Sequence, residues 1–225
     1  MKFLRRHWYN IGGIVAIGAM ACLVLFWNQM EILVRVLLMS FIAILVHQFE
    51  EYRFPGGEPA IMNIAQQNSD IPDRYPLNQN SAMVTNVLVT YTVYLFPVFL
   101  PHVIWLGLGP ILMGFSQFIV HGIMTNRKMK SIYNPGLGAV TFLHIPIGIY
   151  YIYYIVSNGL AQTTDWILGV VYLALVAGAI VGGLTYKVLA NRNSEYPFDQ
   201  VEMERFHVKE KMERLEARQT ATPIN

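Results

Sequence analysis

Charge is what this chain has least of. Asp, Glu, Lys and Arg together make up 13% of its 225 residues, about half the share of an ordinary water-soluble domain. Cysteine occurs once, as Cys22, which excludes an intramolecular disulfide framework and says nothing about redox compartment. No internal repeat is visible. The formal charge of +2 carries no information about partners on its own. What the chain has in place of charge is long apolar runs. Ile11 to Trp27 contains no charged residue, and Met83 to Met124 contains none across 42 positions. About 18 uncharged apolar residues already read as a membrane span. A soluble globule, a disordered chain and a nucleic-acid binder are thereby excluded.

Hydropathy predicts six spans, near 11–27, 32–49, 83–100, 104–124, 137–156 and 166–189, each close to the length that a 30 Å hydrocarbon core demands. Pro97, Pro101, Gly107, Gly109 and Pro110 place the third turn near 101–110. Basic residues test this count independently. With the N-terminus inside, the 50–82 loop, the 125–136 loop and the C-terminal segment share its side. With Lys187, at the end of the sixth span, counted beside the C-terminal segment, these segments hold 15 of the 16 Lys and Arg residues. Arg35 lies within the second span, and the opposite loops hold none. That is the positive-inside rule without exception among the loops. The expected fold is all-α: a polytopic helical bundle with six transmembrane helices and both termini cytoplasmic. Residues 1–190 form the membrane domain, and 191–225 a charged cytoplasmic helical tail. The first span is read as retained and not as a cleaved signal, since five spans would spoil the charge pattern. The localisation expected is the cell membrane, of the bacterial inner-membrane kind, with the lipid bilayer as the first partner and oligomeric state unread.

The 50–82 loop is polar and too long for a turn, a length that usually signals function or disorder. Within it, Pro59 to Gln67 reads as a short interfacial helix. In the tail, Val201, Val208 and Leu215 recur every seven residues, which reads as a solvated or membrane-surface helix.

Ionisable residues inside spans are costly and often mark function. Those present are Arg35, His47, Glu50, Glu51, His121 and His144. Arg35 is expected to snorkel, and His102 to sit at the outer interface. His144 is read as a hydrogen-bonded interior histidine, with a further ligand or proton relay as the alternative. The sharpest cluster is His47-Gln48-Phe49-Glu50-Glu51. On a helix, residues three and four apart are neighbours, so both carboxylates flank the imidazole. Such a group can bind a divalent cation or activate water. The topology brings His121, Asn86 and the segment Tyr133-Asn134-Pro135-Gly136 to the same cytoplasmic level, so four helix ends can build one site.

These residues resemble the HXXEE-motif integral membrane proteins, which are recognised by H-x-x-E-E, a second histidine and Y-x-P-G. The matching positions are His47/Glu50/Glu51, His121 and Tyr133-Asn134-Pro135-Gly136, from about His47 into the fifth span. The resemblance implies a polytopic membrane protein for which a metal-dependent, proteolytic enzyme is the usual suggestion. By analogy with H-x-x-E-H zinc peptidases, His47, Glu51 and His121 would hold the metal, zinc first and iron second. His₂Glu is a known catalytic zinc set. Glu50 would then act as base, and Tyr133 or Asn86 would stabilise an oxyanion. The expected activity is hydrolysis of a membrane-embedded or amphiphilic substrate at the cytoplasmic face.

Two further readings compete. A metal-free glutamate intramembrane protease, like the prenyl-protein proteases, also uses a Glu-Glu pair. Its arginine follows the pair at a longer gap than Arg53 does, and no F-x-x-x-H element surrounds His121. A non-catalytic carrier, ion-binding protein or sensor is the alternative of another class. A carrier would place its site near the midplane, often between repeated halves, whereas this polar cluster lies at one face.

Overall fold

The computed structural model describes residues 1–221. It is all-helical, with no strand among the described residues. Among the described residues, six helices are long and apolar enough to cross a membrane: Lys2–Leu25, Ile32–Tyr52, Gln79–Phe99, Ile104–Met129, Leu137–Ser157 and Thr163–Val188. The chain is a multi-pass membrane protein. The helices exceed their hydropathic cores because polar residues start several of them. Asn78 Oδ1 accepts from the backbone N–H groups of Asn80 and Ser81 at 3.1 and 3.0 Å, and Ser81 Oγ accepts from Asn78 N. This capping box satisfies orphan donors that the bilayer could not and lets the third span begin at Gln79. Asp165 does the same for the sixth span, accepting from Gln162 N at 2.9 Å.

The second span is the axis of the bundle. Its most apolar stretch is 67% buried, against 11% for the sixth span. Leu37, Ala43 and Leu45 are enclosed on all sides. Small residues set the closest helix approaches, as expected where lipid is as apolar as leucine. A Cβ on Gly107 would collide with Tyr151, and one on Gly169 would lie 2.9 Å from Leu108. At one end of the bundle, Arg35 Nε donates to Met30 O at 2.9 Å, and His102 pairs with Glu31 at 3.0 Å.

The other end carries the long connections. The 53–78 loop is ordered around a short helix, Glu58–Ala60, that continues at wider pitch as Ile61–Gln66. Its apolar face is buried instead of interfacial: Ala60, Ile61 and Ala65 have almost no exposure. Asn63 staples the rest, donating to Pro72 O and Leu77 O and accepting from Leu77 N at 2.7, 2.8 and 3.0 Å. The tail differs from the expected solvated helix, because Val208 is fully buried in a cluster with Ala60, Ile61, Ala65 and Met129. Upstream, Glu202 accepts from Gln79 Nε2 at 3.1 Å, and Arg6 pairs with Asp199 at 2.7 Å. The tail thus folds back over the loop, and the chain's first helix starts at the same end.

Candidate metal centre

The site is assembled where spans two, four and five meet under the loop helix. His47 and Glu51 are one helical turn apart, so their side chains lie on one face, with Nε2 and Oε1 3.1 Å apart. The same Oε1 is 3.3 Å from His121 Nε2 on the fourth span. The two imidazole rings stand edge to face with centroids 5.0 Å apart. One ligand atom from each of the three residues lies within 4.8 Å of the others. All three side chains are withdrawn from solvent, with exposures of 1%, 7% and 2% for His47, Glu51 and His121. The pitch of the carrying helices widens locally: His121 sits within the π-helical turn Phe118–Thr125, and His144 closes another at Val140–His144. Such widenings commonly occur at functional sites, where they re-aim a side chain.

The two edges that Glu51 makes with the histidines fit a metal ion. Zinc bonds to N and O of about 2.0–2.2 Å imply ligand–ligand edges of about 3.3–3.5 Å in a tetrahedron. The two measured edges, 3.1 and 3.3 Å, are close to that. Neither ring nitrogen of His47 makes a hydrogen bond of good geometry, and its Nε2 meets Glu51 Oε1 as an ion-pair contact at 3.1 Å. Buried polar atoms are rarely left so. The ion would satisfy Nε2.

His121 is oriented from behind. Asn134 Nδ2 donates to the carbonyl of His121 at 2.7 Å, which fixes the amide's direction, since a carbonyl can only accept. Asn134 Oδ1 therefore accepts from His121 Nδ1 at 2.7 Å. That leaves the Nε2 lone pair for a metal, the usual arrangement for a ligating histidine. Two residues on, Gly136 has φ +97, and a Cβ there would lie 2.7 Å from His121 Cε1 and 3.0 Å from His47 Cε1. No side chain fits between the histidines at that point.

The remaining expected residues divide. Glu50 lies about 100° around the helix from Glu51 and faces the start of the fifth span. Its carboxylate accepts from Tyr133 Oη at 2.7 Å, Gly138 N at 3.0 Å and Ala139 N at 2.7 Å. These bonds cap a helix N-terminus and occupy both oxygens. Partial burial and the adjacent Glu50 carboxylate push the Tyr133 hydroxyl above the usual tyrosine range, so it stays a donor. Asn86 lines the cavity beside the cluster, with its amide donating to Ala82 O at 2.9 Å and Tyr52 Oη at 3.4 Å. His144 is closer than expected, its ring 5.5 Å from that of His47. Its Nε2 has no partner, which departs from the hydrogen-bonded interior histidine read from sequence.

Two residues were missed by sequence reasoning. Asn134 was inside the Y-x-P-G segment, at its variable position. Glu58 opens the loop helix after Gly56-Gly57, an acidic first-turn signal that marked a helix but no site. Glu58 is 7% exposed, its Oε2 has no hydrogen-bond partner, and it lines the same cavity, of about 350 Å³, as His47, Glu51 and His121. Burial, and then the charge of Glu51, pushes its carboxyl well above the usual carboxylate range.

The family model for proteins of unknown function with the HXXEE motif matches residues 38–151. The chain belongs to this HXXEE family. No curated protein and no solved structure matches it. Within the HXXEE signature, His47 and Glu51 reach the candidate metal position while Glu50 turns to the fifth span. The family's two glutamates thus do different things in this chain.

Proposed function

We propose that this chain is an integral-membrane, metal-dependent hydrolase whose site faces the cytoplasm, with zinc as the best-suited ion and iron next. The observation that carries the reading is the convergence of His47, Glu51 and His121 in a buried cavity that also holds an unpartnered carboxylate. The distribution of basic residues supports the orientation, with both termini and the site inside.

A divalent ion held by these three residues would supply Lewis acidity toward a carbonyl and toward water. The chain's own groups then divide the remaining work. Glu58 accepts a proton from water as the water oxygen attacks a carbonyl carbon, and later returns it to the leaving oxygen or nitrogen. A raised carboxyl pKa suits a base that must also act as acid. Tyr52 lines the cavity and receives the Asn86 amide on its oxygen, leaving its own proton to steady the developing oxyanion. Glu50 and Tyr133 position the Y-x-P-G segment, and through it Asn134 and Gly136 beside the histidines. A metal-free glutamate mechanism would need both carboxylates of the pair at the substrate, and three hydrogen bonds hold Glu50 away.

Elemental analysis of detergent-purified protein tests the reading. Wild type is expected to hold close to one equivalent of zinc or iron, and the His47→Ala/His121→Ala double variant essentially none. Equal contents would remove the metal, and with it the hydrolase.

A further inference from the structure

The cavity around the histidines is covered by the loop helix and lined by spans two, three, four and six. The roof is the loop helix: Met62 and Gln66 line the cavity from above, and Gln66 Nε2 donates to Thr125 Oγ1 of the fourth span at 3.0 Å. Val208 of the tail is buried against that helix and so holds the roof down. On one flank, spans three and six are tied together by the 2.6 Å bond between Thr85 and Thr185. The other flank differs. Spans four and six pack closely along their outer halves, where a Cβ on Gly109 would collide with Tyr172 and one on Gly169 would lie 2.9 Å from Leu108. In their inner halves they scarcely meet, and Val120 and Met124 face Val181 across the cavity. Met124 at this rim is exposed.

The lining is graded. Toward the roof and the histidines it is polar, with Glu58, Tyr52, Asn86 and Gln66. The apolar part is Met113, buried in the core, with Val120, Met124 and Val181 on spans four and six, and Gln117 interrupts it on span four. Methionine on such a wall adapts to flexible apolar guests. No Lys or Arg lines the cavity among the described residues, whereas phosphate recognition normally recruits them. At about 30 Å³ per water-sized group, the cavity of about 350 Å³ holds roughly a dozen heavy atoms. That accommodates a headgroup and the first few carbons of a chain, with the remainder left in the bilayer.

We propose that the ligand is an uncharged, single-chain amphiphile, a fatty-acyl ester or amide, which reaches the histidines sideways from the bilayer between spans four and six. The identity of the bond at the head rests on the hydrolase reading; the lateral route does not.

The test uses full-length protein in liposomes with a monoacylglycerol carrying a diazirine in its acyl chain, and cross-links mapped by mass spectrometry. Label is expected on Val120, Met124 and Val181, and excess 1-oleoylglycerol should displace it. Overfilling the rim with Val181→Trp, or separately Met124→Trp, should reduce this label roughly tenfold at unchanged metal content. Ile119→Trp, on the exposed face of the fourth span, should leave it unchanged. Label that no competitor displaces, or that neither rim variant reduces, overturns the route. Better competition by a lysophosphatidic acid than by 1-oleoylglycerol overturns the uncharged head. Metal content, measured on the same samples, keeps the two readings apart: displaceable label in metal-free protein sustains the route without the hydrolase, and full metal without such label does the reverse.

Discussion

Gly136→Ala tests whether the histidines share one ion more sharply than removing either histidine does, because it deletes no ligand. The methyl group would start 2.7 Å from His121 Cε1 and 3.0 Å from His47 Cε1, where ordinary contact begins at 3.4 Å. The His121 ring must therefore retreat by about 0.7 Å (3.4 − 2.7) and the His47 ring by about 0.4 Å (3.4 − 3.0), whereas metal–ligand bonds tolerate about 0.2 Å. The backbone at φ +97 adds about 1–3 kcal/mol of strain for any residue with a side chain. The expected result is a folded, modestly destabilised protein whose zinc affinity falls by on the order of 10–100-fold, comparable to losing an orienting partner. Competition with a chromophoric chelator measures this, with circular dichroism reporting helix content on the same sample. Gly18→Ala serves as the control, since nothing lies within 4 Å of a Cβ there. Unchanged zinc affinity in Gly136→Ala would mean that the two imidazoles do not converge on an ion.

Asn134→Ala removes the acceptor on His121 Nδ1 and should lower metal affinity by about 10–100-fold, read by the same competition. Glu58→Gln should keep full metal content and lose about 10²–10⁴-fold in turnover, whereas Glu50→Gln should cost about 1–3 kcal/mol of stability and retain measurable turnover. The opposite pattern would restore Glu50 as the base. For pH, the raised Glu58 carboxyl means that metal-free folded protein keeps a proton that the unfolded chain has already released. Stability of the metal-free protein should therefore fall as pH rises from the ordinary carboxylate range toward the folded value. Thermal melts at a series of pH values should show this slope flattened in Glu58→Gln.

The six spans and the common level of His47, Glu51 and His121 were legible in the sequence because each rests on a regular spacing. Hydropathy marks helices against a hydrocarbon of fixed thickness, and an i, i+4 pair needs only 3.6 residues per turn to share a face. Helix ends were less legible. Gln79, Asn80 and Ser81 are polar, yet Asn78 draws them into the third span through its cap. The roles of the acids were not legible. Glu50 turns away by helix geometry, and whether Glu58 reaches the cavity depends on how the 53–78 loop folds back. That fold is set by Asn63 and by Val208 of the tail, residues 12 or more positions from any motif. His144 was misjudged for a related reason. Depth along one helix was counted correctly, but Gly114 lets the fourth span close on it, with a Cβ there only 2.9 Å from its Nδ1.

The adjacent glutamates make the H-x-x-E-E and Y-x-P-G segments a single device. Consecutive helical residues point about 100° apart, so one pair of acids can serve two neighbours at once. Glu51 turns to the histidines, and Glu50 takes hold of the fifth span through Tyr133 Oη and two backbone N–H groups. The segment so held presents Asn134 and Gly136 to the rings. Through this coupling, Glu50 and Tyr133 should act on metal affinity through each other and not separately. The bond between them is short and charge-assisted, the kind worth about 1.5–3 kcal/mol. In a double-mutant cycle of Glu50→Gln and Tyr133→Phe read by zinc affinity, the double variant should therefore be little worse than the more damaging single one. An interaction energy of about 0.5–3 kcal/mol is the mark of such contact. Strict additivity would separate the two motifs and leave Glu50 as a helix cap with no bearing on the metal.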